Sequence, residues 1–138
     1  MLPMRDTKPK FKPGEKDSKP ADGAAEKKGY ALKGRLWIDG PEGTFLGVGR
    51  IVLLERIKEH GSLIAAARSM NMSYRHAWDL LDSIGRQAKK PLFTTGRGGR
   101  EGGGTRLTGE GEKIIAAFWK LNGKFRKFLE KEMKNLGI

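Results

Sequence analysis

Between Gly61 and Ile84 the chain turns a sharp corner, and the residues that make the corner leave few folds open. Ser62 has the side chain to cap a short helix that holds Ala65-Ala66-Ala67 and Met70. Asn71 is a residue type that tolerates the left-handed conformation of a tight turn. Ser73 then caps a further helix, whose apolar face is Ala77, Leu81 and Ile84 at i, i+4 and i+7, running to about Ala88. Two helices that cross steeply need small side chains where they touch, which gives the alanines a physical role. The pattern reads as a helix-turn-helix, against the plainer alternative of a two-helix corner in any α protein.

The flanking sequence completes a small domain. Ala31–Ile38 partly alternates, Asp39-Gly40-Pro41-Glu42-Gly43 is turn chemistry, and Thr44-Phe45-Leu46 predicts a returning strand broken by Gly47 and Gly49. Ile51, Leu54 and Ile57, with Leu53 alongside, predict a first helix from about Gly49 to His60, ended by Gly61. After Pro91, Leu92–Thr95 and Thr105-Arg106-Leu107 predict paired strands around residues 96–104, six of which are glycine. Thr108 predicts the cap of a last helix from about Gly109 to Asn135, with Ile114, Ile115, Phe118, Leu121, Phe125, Phe128 and Leu129 as its stripe. The expected fold is mainly α with a small β wing: a winged helix-turn-helix, over 30–138, with a long C-terminal dimerisation helix. Residues 1–29 carry eight Lys/Arg against five Asp/Glu and four prolines, and are expected to form a disordered basic tail.

Charge narrows the partner. Across 138 residues the formal net charge is +12, which points to a polyanion. Zero Cys, with His60 and His76 the only histidines, excludes thiolate chemistry, disulfides and multi-histidine metal sites, so no metal and no cofactor are expected. No apolar run suits a membrane span or a secretory signal, so a cytoplasmic location is expected. Catalysis is not expected either. Glu55 and Glu59 sit opposite lysines at helical spacing, Glu110 and Glu112 fit a first helical turn, and no nucleophile–base pair stands out. The glycine loop lacks the Gly-Lys-Ser/Thr ending of a nucleotide-binding loop.

In a helix-turn-helix, the N-terminal end of the second helix meets base edges in the major groove. Here that end is Ser73-Tyr74-Arg75-His76, with Asp79 one turn on, and Ser62 is counted with them. Arg75 suits a bidentate bond to guanine; Ser73 and Tyr74 suit phosphate or a base edge; His76 can donate or accept. Asp79 suits a cytosine amino group or an internal pair with Arg75. For Trp78, core packing is expected over base stacking. Arg97, Arg100 and Arg106 lie in or beside the glycine loop, where a wing would reach phosphates or the minor groove. On the last helix, Phe118, Leu121, Phe125, Phe128 and Leu129 are expected to form a dimer contact.

The runs Gly61–Ala67 and Met72-Ser73-Tyr74-Arg75-His76-Ala77-Trp78, with the wing 95–104 and Leu107-Thr108-Gly109-Glu110-Gly111, resemble the DNA-binding domain of molybdate-responsive, ModE-type regulators. A broader resemblance to the LysR-type helix-turn-helix runs through the same alanines and Ser73. The similarity spans about Leu32 to Leu129. It implies a dimeric winged helix-turn-helix that contacts double-stranded DNA through Ser73, Tyr74, Arg75 and the wing arginines, with the last helix as a main dimer contact. Full-length molybdate regulators carry C-terminal oxyanion-binding domains; with this chain ending at Ile138, molybdate sensing is not carried over. The leading expectation is a sequence-specific transcription regulator and homodimer. The alternatives are an architectural DNA binder of low specificity and a DNA-binding subunit that docks a separate sensor protein.

Overall fold

The computed structural model describes residues 29–96 and 104–138. The tail expected over 1–29, apart from Gly29, and the wing tip with Arg97 and Arg100 lie outside the described residues. In chain order the elements are β1 (Trp37–Gly40), β2 (Gly43–Gly47), α1 (Val48–His60), α2 (Leu63–Ser69), α3 (Tyr74–Gln87), β3 (Phe93–Thr95), β4 (Thr105–Leu107) and α4 (Gly109–Asn135). This is a winged helix-turn-helix with a long last helix.

Helix α1 lies at the centre. Ile51, Leu53, Leu54 and Ile57 are fully buried and Val52 nearly so, which leaves it apolar on most sides. Around it sit Leu46 of β2, Leu63, Ala66 and Ala67 of α2, Ala77, Leu81 and Ile84 of α3, and Ile115, Phe118 and Trp119 of α4. The N–H of Gly61 closes α1 on the Ile57 carbonyl, with Gly61 at φ 80°. The caps are where local chemistry puts them. Ser62 Oγ accepts from the Ala65 N–H (3.1 Å), Ser73 Oγ from His76 (3.0 Å) and Thr108 Oγ1 from Gly111 (3.0 Å). Asn71 adopts φ 56° in the turn between α2 and α3.

The N-terminal hairpin departs from the expected strands. β1 starts only at Trp37 and runs on through Asp39 and Gly40, pairing antiparallel with β2 from Trp37↔Gly47 to Gly40↔Gly43. Its tip is set by a distant side chain. The buried Gln87 of α3 accepts from the Glu42 N–H (3.0 Å) and donates to the Thr44 carbonyl (2.9 Å). A Cβ at Gly40 would overlap the Gln87 amide oxygen, so a larger residue there would push that amide away from its bonds to Glu42 and Thr44.

The last helix also departs from the stripe read in the sequence. Leu121 is 44% exposed and Phe128 55%. The buried positions are Gly111, Ile115, Phe118, Trp119, Asn122, Gly123 and Leu129. Trp119 stands edge-on to Phe118 and donates from Nε1 to Glu55 Oε2 (2.9 Å), tying α4 to α1. Glu55, read in the sequence as standing opposite lysines at helical spacing, is half-buried at this junction. A stripe chosen by hydrophobicity alone passed over Asn122 and Gly123, which are buried although one is polar and the other has no side chain.

α4 begins in close contact with the strand before the wing. The Thr108 N–H and hydroxyl donate to the carbonyls of Leu92 (3.0 Å) and Pro91 (2.7 Å). A Cβ at Gly111 would overlap the Leu92 carbonyl oxygen, whereas one at Gly109 meets nothing. Alanine normally stabilises a helix by about 1 kcal/mol relative to glycine. Gly111→Ala is expected to reverse that sign and destabilise by about 1–3 kcal/mol through overpacking. Gly109→Ala is expected to be neutral or stabilising. Urea unfolding of the two variants beside the parent protein measures the contrast.

Candidate nucleic-acid interface

α3 faces two ways. Ala77, Leu81 and Ile84 point into the core, and Ser73, Tyr74, Arg75, His76, Trp78 and Asp79 are exposed at its N-terminal end. The inward face fixes the helix by apolar contact, and the cap at Ser73 fixes where it starts, so the exposed side chains are carried on a firmly held first turn. Fastenings at the other end complete this support. Arg50 donates to Ser83 Oγ (3.0 Å), Gln87 Nε2 to the same hydroxyl (3.1 Å), and Arg86 pairs with both Glu42 (3.0 Å) and Asp82.

Six sequence-predicted residues of the candidate interface fall within this helix-turn-helix. Tyr74, Arg75 and His76 stand on the first turn of α3 with Ser73 at its head, and Asp79 stands one turn on. Arg75 Nε is 3.3 Å from Asp79 Oδ1, the internal pair anticipated for these two. Both side chains are largely solvated, so the pair contributes little to stability, at most about 0.5 kcal/mol. Ser62 differs from the others: it is buried at the head of α2, its hydroxyl engaged in the cap. Four backbone N–H groups of a helix start are unbonded within the helix, so that end still offers donors and a positive dipole.

Trp78 overturns the expectation of core packing. It is 44% exposed and stands outside the apolar cluster. The reason is helical geometry: Trp78 is four residues from the exposed Tyr74 and one from the buried Ala77, so it belongs to the outward face. That spacing was available in the sequence; the residue type obscured it.

The wing strands pair Phe93↔Leu107, Thr94↔Arg106 and Thr95↔Thr105. Arg106 is exposed on this ribbon, while its neighbour Thr105 is buried and donates its N–H to the Gly61 carbonyl (3.4 Å). The root of the wing is thus bonded to the turn that begins the helix-turn-helix. Lys89 and Lys90, exposed just after α3, add positive charge that the motif-based reading passed over.

On α4 the five residues expected at a dimer contact separate. Phe118 is only 2% exposed and belongs to the core of its own chain, which removes it from any outer surface. Leu129 is also buried, and Phe125 is half-buried against the segment before β1; a Cβ at Gly34 would come within 2.8 Å of the Phe125 ring. Leu121 and Phe128 remain exposed, with the Phe128 ring stacked on Phe125 (centroids 6.4 Å apart). Among the described residues, no helix is long and apolar enough to cross a membrane, and no group of three or more His, Cys, Asp or Glu could hold a metal ion.

Comparison with known proteins identifies the segment. The family model for bacterial regulatory helix-turn-helix proteins of the lysR family matches residues 49–112. The chain is 38% identical over 102 residues to the molybdenum transport protein ModE of Azotobacter vinelandii, covering 74% of this chain and 38% of that protein. It is 38% identical over 96 residues to the molybdenum-pterin-binding protein MopB of Rhodobacter capsulatus (70% of this chain, 36% of that one). It is 34% identical over 83 residues to the transcriptional regulator ModE of Haemophilus influenzae (60% and 32%). The chain therefore spans between 32% and 38% of the length of these relatives.

The cap at Ser73 gives a test of how firmly the exposed turn is held. Ser73→Ala is expected to cost about 1 kcal/mol of stability, and Ser73→Asp, which caps as well as serine, close to nothing. Chemical denaturation of both variants measures the difference.

Proposed function

From a lysR-type helix-turn-helix domain at residues 49–112, akin to that of the ModE-type regulators, we propose that this chain is a sequence-specific, DNA-binding transcription regulator. The observation that carries the reading is the first turn of α3. Ser73, Tyr74, Arg75 and His76 are exposed together on a capped helix that a buried apolar face anchors from behind. In this reading α3 enters the major groove. Arg75 takes a guanine edge, and Ser73 and Tyr74 take phosphate or a neighbouring base. Arg97, Arg100 and Arg106 of the wing, with Lys89 and Lys90, supply the phosphate contacts that make binding salt-dependent. The names of the Azotobacter and Rhodobacter relatives join them to molybdenum; the reading taken from the relatives here is that of DNA binding, in the cytoplasm.

The regulator acts as a homodimer through α4. Its 27 residues are about 40 Å of helix, longer than the body of the domain needs. Leu121 and Phe128, seven residues apart, stand exposed beside the stripe that faces the core, the heptad spacing of a helix-pairing seam; Ile114, seven residues earlier, packs against the core. A two-fold pairing covers the exposed Leu121 and Phe128 and sets the two copies of α3 into successive major grooves, ~34–36 Å apart, on a pseudo-palindromic site.

Selection of bound duplexes from a random pool tests the function. One enriched, two-fold related sequence is expected, and it should outcompete mixed-sequence DNA; a binder that enriches nothing is architectural. On the enriched site, Arg75→Ala is expected to cost about 1–3 kcal/mol and to relax one base position per half-site. Equal loss on every sequence would make Arg75 a phosphate contact. Leu121→Asp combined with Phe128→Asp is expected to yield a folded monomer by sedimentation, with operator binding weakened because the second half-site is no longer linked to the first. A parent protein that sediments as a monomer at micromolar concentration and binds as one protomer would overturn the dimer, and a double variant that still dimerises would move the contact off this seam.

A further inference from the structure

The exposed face of α3 carries two columns. Arg75 and Asp79 form a charged one. Tyr74 and Trp78, also four residues apart, form an aromatic one, 48% and 44% exposed. Neither ring belongs to the apolar cluster of the domain. Two large aromatic side chains standing in water on the first two turns of a helix are a cost to a free protein, and they sit where the proposed function puts the floor of the major groove.

We propose that Trp78, with Tyr74 beside it, is a specificity-determining residue that reads the 5-methyl group of a thymine next to the base taken by Arg75. This rests on the DNA-binding reading of α3. The chemistry selects the base. Along the major groove, base edges present hydrogen-bond donors and acceptors, and the thymine methyl is the one apolar group among them. An indole offers a broad apolar face and a single N–H donor, so it gains most where a methyl is taken out of water. The Tyr74 ring shields the same contact from solvent and leaves its hydroxyl for a phosphate. The adjacent columns mean that the thymine and the Arg75 base are neighbours within one half-site.

Deoxyuridine is the probe, because it keeps every hydrogen-bonding group of thymine and lacks only the methyl. Each thymine of the enriched operator is replaced in turn by deoxyuridine, and affinity is measured for the parent protein, Trp78→Ala, Trp78→Phe and Arg75→Ala. One position per half-site is expected to lose about fourfold for the parent, the worth of one buried methyl. Trp78→Ala should bind more weakly and be indifferent to that replacement. Trp78→Phe and Arg75→Ala should keep the penalty. Trp78 lies outside the core, so a folded variant is expected, and its circular dichroism is recorded beside the binding. A parent protein indifferent to every replacement on an enriched operator overturns the thymine contact and leaves the regulator reading standing. The same penalty in Trp78→Ala overturns the role of Trp78. A random pool that yields no enriched sequence overturns both.

Discussion

Burial of α1 on nearly every side is the constraint from which the rest of the domain follows. Ile51, Leu53, Leu54 and Ile57 are removed from water completely. At about 1.5–3 kcal/mol for each buried aliphatic side chain, these four contribute roughly 6–12 kcal/mol of gross stabilisation, as large as the whole net stability of an ordinary domain. One helix can be covered so fully only if several other elements each lend it one face. β2, α2, α3 and α4 do so, and each keeps another face outward. The outward faces of α3 and α4 are the ones the proposed function uses for recognition and pairing.

Close approaches give this arrangement its geometry. Ala66 and Ala67 are buried with Ala77, so α2 and α3 meet through methyl groups at their crossing. Gly111 lets α4 start against the Leu92 carbonyl, and Gly40 lets β1 reach Gln87. Polar fastenings finish what apolar contact begins: Gln87 holds the hairpin to α3, and Glu55 holds α4 to α1 through the Trp119 indole. A buried amide that meets its partners specifies a position more sharply than another leucine would, because leaving either group unbonded costs about 1–3 kcal/mol.

Most of the fold was legible in the sequence because it depends on local chemistry. Caps at Ser62, Ser73 and Thr108, the left-handed Asn71 and the αL Gly61 each act within a turn of chain, and each is where the residue types put it. What escaped depends on partners far away in sequence. The tip of the β1–β2 hairpin is held by Gln87, 45 residues beyond Glu42. The buried face of α4 includes Trp119, bonded to Glu55 of α1 64 residues away, with Asn122 and Gly123, while Leu121 is exposed. At the candidate interface Arg75, Asp79 and their neighbours were found by position within a motif. Trp78 was missed because a large aromatic was read by type and not by the face its register assigns. The wing arginines Arg97 and Arg100 fall outside the described residues, and Arg106 alone of the three is seen on the ribbon, exposed.

The split of α4 into two apolar stripes links stability to recognition. A helix that turned only one stripe inward would need nothing beyond its own chain. Here Ile115, Phe118 and Trp119 are spent on the core, and Leu121 and Phe128 stand to one side of them. In the proposed dimer those side chains meet their symmetry mates, and any shift of that contact moves α4 as a rod. α4 is bonded to α1 at Glu55, and α1 shares one apolar cluster with α3, so packed contacts connect the rod to the candidate recognition helix. The separation of the two α3 helices is then a property of the pairing seam. In the proposed dimer the seam would set the half-site spacing, and the exposed turn of α3 the bases within each half. The two parts of specificity would then be carried by two neighbours of the same buried helix.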